Sequence, residues 1–171
     1  MSTSAAALEV FTDGACAGNP GPGGWAWATA PDGARRGSGG EARSTNQRME
    51  IMAVLEALRS LDGDLTIVSD STYVVKCFND GWWKKWKSNG WKNSQRKPVA
   101  NLDLWQPLIE LVIARSPRFR WVKGHSGDPM NDLVDELAVV ASKGPFPAAA
   151  PTPPGSPDAD TGPHQRSLFD S

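Results

Sequence analysis

The chain has 171 residues, a length that favours one domain with a hydrophobic core of its own. Its 18 Lys+Arg and 19 Asp+Glu give a net charge of −1, so bulk charge does not mark it as a polyanion binder. Two cysteines, Cys16 and Cys77, are too few for a disulfide framework, and no apolar run approaches the ~18 residues of a membrane helix. Leu8–Thr12 is β-branched and aromatic enough to read as a half-buried strand. A Gly- and Pro-rich loop, Gly14–Gly24, follows, and Trp25–Ala30 alternates as a second strand. Pro31-Asp32-Gly33 signals a turn, which predicts an antiparallel return from about residue 34 to 43.

Gln47–Leu61 reads as a helix with Glu50, Val54, Ala57, Leu58 and Leu61 on one face, stopped by Asp62-Gly63. Leu65–Ser69 is a short buried strand, and a helix begins near Ser71. After the Trp- and Lys-rich stretch 81–97 come an amphipathic helix Asn101–Ala114, a strand Arg118–Lys123 and a helix Asp128–Ser142. Asp128-Pro129 supplies that last helix with an N-cap and a proline at its first position. Three hairpin-linked strands followed by two helix–strand units predict an α/β fold: a five-stranded mixed sheet, antiparallel then parallel, with helices on both faces. This domain should span residues 1–143. The remaining 28 residues hold seven of the 14 prolines, too little apolar surface to offset their ordering entropy, and are expected to form a disordered tail.

Charge is distributed unevenly. From Gly81 to Leu102 there are six cations (Lys84, Lys85, Lys87, Lys92, Arg96 and Lys97) and no acid, which leaves −7 for the rest of the chain. Any nucleic-acid footprint is therefore local. The cysteine usage and the absence of a secretory leader pattern at the N-terminus lead us to expect a cytoplasmic protein.

Four acids stand where acids are costly or poised. Asp13 and Asp70 each end a predicted strand, Glu50 lies on the apolar stripe of its helix, and Asp135 lies beside the stripe Val134, Leu137, Ala138 and Ala141. Singly, each has an ordinary reading as a cap, a turn former or a flanking charge. Together they suit phosphodiester hydrolysis, in which two divalent ions roughly 3.5–4 Å apart stabilise the entering and leaving oxygens. Carboxylate oxygens are the donors Mg²⁺ prefers.

The words around these acids resemble one family. "VFTDGACAGNPGPGGWAW", "STNQRMEIMAVLEAL", "IVSDSTYV" and "WVKGHSGDPMNDLVDELA" resemble the type 1 ribonuclease H family in the right order, over roughly residues 8–142. The handle-like "GWWKKWKSNGWKNSQRKPVANLDLW" resembles its bacterial form. The resemblance implies a five-stranded mixed sheet and cleavage of RNA paired to DNA, leaving 5′-phosphate and 3′-hydroxyl ends. It implies metal-binding catalytic acids at Asp13, Glu50, Asp70 and Asp135, two Mg²⁺ ions with Mn²⁺ able to substitute, and a role in removing hybrids and primers during replication and repair. Asp132 and Glu136 lie close by, so Asp135 rests on its spacing of ten from His125. His125, in the glycine-flanked loop Gly124–Gly127, is implied in proton transfer or product release.

The same resemblance implies RNA-strand contacts by Cys16, Asn19, Asn46 and Gln47, uncharged groups suited to 2′-hydroxyls. It implies a DNA-phosphate pocket at Arg43, Thr45 and Asn101, with Trp82 nearest the DNA strand and Trp86 and Trp91 mainly structural. The handle cations would neutralise phosphates. In the tail, Gln165, Leu168 and Phe169 resemble the short peptide by which bacterial proteins dock on the replication sliding clamp. We expect a monomer, with RNA–DNA hybrid as partner and no separate N-terminal hybrid-binding domain.

An idle hybrid-binding module would lack one of the four acids, and all four are present. Integrases, transposases and junction resolvases have a similar acidic site but lack the loop and handle words.

Overall fold

A computed structural model describes residues 7–146. The strands are β1 (Leu8–Cys16), β2 (Gly21–Thr29), β3 (Arg36–Ser44), β4 (Leu65–Ser69) and β5 (Arg118–Trp121). The helices are α1 (Asn46–Ser60), α2 (Thr72–Asn79), α3 (Trp82–Ser88), α4 (Leu102–Arg115) and α5 (Pro129–Ala141). The predicted tail lies outside the described residues from 147 on, and with it Gln165, Leu168 and Phe169. Among the described residues no helix is long and apolar enough to cross a membrane.

The sheet order is β3-β2-β1-β4-β5. β1–β2 and β2–β3 pair antiparallel, whereas β1–β4 and β4–β5 pair parallel, so the expected mixed sheet is present. β1 and β2 run further than their sequence pattern suggests. Their ladder continues through Gly14↔Trp25 to Cys16↔Gly23, which shortens the Gly/Pro-rich loop to residues 17–20. Gly and Pro mark turns when read alone, but here the backbone hydrogen bonds of an antiparallel pair override that preference.

One sheet face buries Val10, Trp27 and Ile67 against Ile51, Val54, Leu55 and Leu58 of α1 and Trp105, Leu108 and Ile109 of α4. The other buries Phe11, Ala26, Ala28 and Val68 against Met130, Val134 and Ala138 of α5. Helix ends are satisfied locally. The Thr45 hydroxyl accepts the Arg48 N–H at 3.1 Å, and Asp128 accepts the N–H groups of Met130 and Asn131 at 2.9 and 3.2 Å. At the other end of α1, the Arg115 guanidinium donates to the carbonyls of Leu58, Leu61 and Gly63.

The 81–97 stretch folds as α3 followed by irregular chain, closed by a bridge between Lys92 and Pro98. Trp86 is its buried anchor, edge-on to Trp105 with ring centroids 5.3 Å apart. Trp91 donates its backbone N–H to the Trp86 carbonyl at 2.7 Å and packs on the same core. Trp82 is half-buried, edge-on to Tyr73 at 5.6 Å. All six handle cations are exposed, and Lys87 lies 3.6 Å from Glu110.

Candidate active site

The parallel register pairs Thr12 with Ser69, so the next residues, Asp13 and Asp70, sit side by side at the centre of the sheet. Glu50 joins them because α1 crosses β1 at very short range. A Cβ on Gly14 would stand 2.4 Å from the Glu50 nitrogen, an approach only glycine permits. Oxygens of Asp13, Glu50 and Asp70 lie within 4.8 Å of one another. Asp135, on α5 across the sheet, is close enough to raise the carboxyl pKa of both Asp13 and Asp70. Its neighbours Asp132 and Glu136 are exposed.

Electrostatics follow from this crowding. Burial, then Asp70 and Glu50, push the Asp13 carboxyl up to about 9, against a 2.9 Å hydrogen bond from the Gly14 N–H. Burial pushes Glu50 up to about 7; a hydrogen bond from Ser71 works against the shift and the charge of Asp70 adds to it. Asp70 is also raised, chiefly by burial, while a hydrogen bond from Asn131 and the charge of His125 oppose the shift. Acids held this close, with oxygen donors only, form a set that a hard divalent cation would relieve, so the residues fit such an ion.

Several groups that support the acids were not singled out from sequence. Ser71 caps α2 by accepting the Val74 N–H at 3.2 Å, and its side chain also hydrogen-bonds Glu50. Asn131 is 3% exposed, and its Oδ1 has no partner among the described residues. The signal was an asparagine on an apolar helix stripe, one turn before Asp135. Trp121 is 47% exposed, yet its indole N–H donates to the Asp70 carbonyl at 3.0 Å. Gly124 leaves room for the Asp70 carboxylate, since a Cβ there would lie 2.8 Å from Oδ2. His125 follows it, exposed and in the left-handed region at φ 56°.

The residues expected near the RNA strand surround the β1–β2 turn and the start of α1. Cys16 turns its thiol inward, toward the carbonyls of Gly21 and Ser44, each at 3.3 Å. Burial raises its pKa. Asn19 is exposed and accepts the Asn46 N–H at 3.2 Å, tying the turn to α1. Asn46 is the first residue of α1 and Gln47 the second; the cap itself is Thr45. Arg43 is exposed near the end of β3, and Asn101 precedes α4 in the left-handed conformation, φ 63°.

Sheet order, helix placement and the central acids together define a ribonuclease H-like fold. Residues 5–143 match the RNase H family. The chain is 48% identical over 140 residues to the Ribonuclease H of Syntrophomonas wolfei, covering 80% of this chain and 96% of that one. It is 51% identical over 134 residues to the Ribonuclease H of Nitratidesulfovibrio vulgaris, covering 77% and 86%. Among solved structures it resembles LC9-RNase H1, a type 1 RNase H with the type 2 active-site motif (TM-score 0.68, 27% identity, 98% of this chain and 86% of that one). It also resembles the foamy viral protease-reverse transcriptase in complex with RNA/DNA hybrid (TM-score 0.69, 25% identity, 80% of this chain and 20% of that one). The chain belongs to the ribonuclease H family.

Proposed function

We propose that this chain is an endoribonuclease that hydrolyses the RNA strand of RNA–DNA hybrids, leaving 5′-phosphate and 3′-hydroxyl ends. The observation that carries the proposal is the cluster of Asp13, Glu50 and Asp70 oxygens within 4.8 Å, in a chain about half identical to proteins named Ribonuclease H. With Asp135 these acids would hold two Mg²⁺ ions, Mn²⁺ substituting. When bound, such ions balance charge on the reacting phosphate and ease deprotonation of the attacking water.

The chain's own residues do the rest. Ser71 and Asn131 fix the carboxylates of Glu50 and Asp70 so that their oxygens converge. His125, on an exposed loop beside Asp70, carries a proton to or from the departing product. Cys16, Asn19, Asn46 and Gln47 line the RNA strand, with the Cys16 thiol acting from behind as a tie between β1, the start of β2 and the end of β3. Arg43, Thr45 and Asn101 grip a phosphate of the DNA strand, Trp82 packs beside that strand, and the handle cations neutralise its backbone.

The protein would act as a monomer in the cytoplasm, with residues 1–143 as the catalytic domain and hybrids and RNA primers of replication and repair as its substrates. Gln165, Leu168 and Phe169 would dock on a sliding clamp; retention of clamp on wild type and its loss on Leu168→Ala/Phe169→Ala would test this. For the catalytic proposal, labelled RNA–DNA hybrid, RNA duplex and DNA duplex are offered with Mg²⁺. Selective cleavage of the hybrid's RNA strand is expected, and equal cleavage of all three would contradict it.

A further inference from the structure

We propose that Arg48 is a positioning residue for the phosphate pocket: its guanidinium holds the Asn101 carboxamide oxygen and so leaves the Asn101 NH₂ to face the phosphate. The inference rests on the reading of Arg43, Thr45 and Asn101 as a grip on a DNA phosphate. Arg48 is half-buried on the first turn of α1, and its guanidinium bridges three elements. Nε donates to Glu41 of β3 at 3.0 Å, and Nη1 and Nη2 donate to the two Asp103 oxygens of α4 at 3.0 and 2.7 Å. Nη1 also donates to Asn101 Oδ1 at 3.3 Å, and the Arg48 backbone N–H donates to Thr45 Oγ1 at 3.1 Å.

A guanidinium has no acceptor, so an amide facing it must present its oxygen. Asn101 is thereby turned with its NH₂ away from Arg48. The Asn101 side chain makes no cap hydrogen bond to α4, although it stands at the N-cap position and holds a left-handed φ of 63°. Asp103, in the first turn, serves the helix end instead: its carboxyl pKa is lowered chiefly by Arg48, with the Asp103 and Leu104 N–H groups contributing. Thr45, whose oxygen already accepts the Arg48 N–H, retains its hydroxyl proton to give. Both residues thus have a donor to give to the pocket. A phosphate only accepts hydrogen bonds, so donors turned to the pocket suit it.

The test uses hybrids whose DNA strand carries one neutral methylphosphonate, moved along position by position, with KM read at each. Wild type should show a KM penalty of about tenfold at one position, the scale of one hydrogen bond to a charged group. Asn101→Ala should reduce that positional penalty, leaving the share of Arg43 and Thr45. Arg48→Lys keeps the charge but not the fork, and should reduce it to the same extent. Asn101→Asp keeps an oxygen for Arg48 but turns a carboxylate oxygen to the phosphate. It should melt no lower than wild type, yet prefer the methylphosphonate hybrid at that position. A full penalty in Arg48→Lys, with Asn101→Ala reducing it, overturns the role of Arg48 and leaves the pocket standing. No penalty in wild type overturns the pocket and this inference together; a full penalty in Asn101→Ala or in Asn101→Asp overturns this inference and leaves the pocket to Arg43 and Thr45. Should Arg48→Lys fail to fold, Arg48→Gln, which also lacks the fork, takes its place with the same expected loss.

Discussion

Gly14 and Glu50 meet backbone to backbone: the place a Gly14 Cβ would take is 2.4 Å from the Glu50 nitrogen and 2.5 Å from the Met49 carbonyl carbon. This close approach brings an acid on a helix within reach of an acid on a strand. Gly14→Ala should push α1 off β1, with an overpacking cost of about 1–3 kcal/mol. A melting temperature lower by several degrees and a higher Mg²⁺ requirement are expected. Wild-type behaviour in both would show that the close approach is not needed.

The raised acids make the metal-free protein sensitive to pH. With Asp13 near 9 and Glu50 near 7, the folded state holds protons that the unfolded state has already released above the ordinary carboxylate range. Stability therefore falls as pH rises from about 4.5 toward 9, because the native state binds more protons there. In EDTA, Asp13→Asn should melt above wild type at pH 8, with a gap that closes toward pH 4.5. A gap of about 2–4 °C corresponds to 1 kcal/mol in a chain of this size. Mg²⁺ should stabilise wild type more than the variant, and parallel melting curves across pH would refute the electrostatic account.

These acids were largely legible in the sequence because their strands announce themselves. Leu8–Thr12 and Leu65–Ser69 are short β-type runs, each followed by an aspartate, and parallel pairing sets those ends side by side. The Glu50 helix was equally plain from its periodicity. Arg48 shows why the remainder was hidden. Its partners Asn101 and Asp103 lie 53 and 55 residues away, brought near only when α4 packs on α1, and no local pattern encodes that. Ser71 and Asn131 likewise act through groups on other elements. The long β1–β2 ladder was hidden because its glycines carry a turn signal that tertiary pairing overrides.

Gly124 and His125 separate placement from proton transfer. Gly124→Ala sets a methyl group 2.8 Å from an Asp70 oxygen and should lower kcat by about tenfold or more through misplacement of that carboxylate. His125→Ala leaves the acids in place and should slow turnover without abolishing it. Steady-state kinetics on one hybrid would compare the two, and an intact kcat in Gly124→Ala would show that Asp70 tolerates the shift.

Lysines of the handle should differ among themselves. Lys84 and Lys85 are exposed, whereas Lys87 has Glu110 at 3.6 Å to offset its charge. Lys84→Gln and Lys85→Gln should each raise KM and lower the slope of log affinity against log salt, by ~0.7–0.9 for each phosphate left without its cation. Lys87→Gln should do less. Salt titrations of hybrid binding would show this, and equal slopes for all variants and wild type would remove the handle from the interface.

The most direct measurement follows 5′-labelled RNA in a hybrid with DNA, using wild type and Asp70→Asn, each with Mg²⁺ and with EDTA. Wild type with Mg²⁺ should cut the RNA internally, and the other three combinations should leave it whole. Cleavage by Asp70→Asn at the wild-type rate, or by wild type in EDTA, would contradict a site built from these carboxylates.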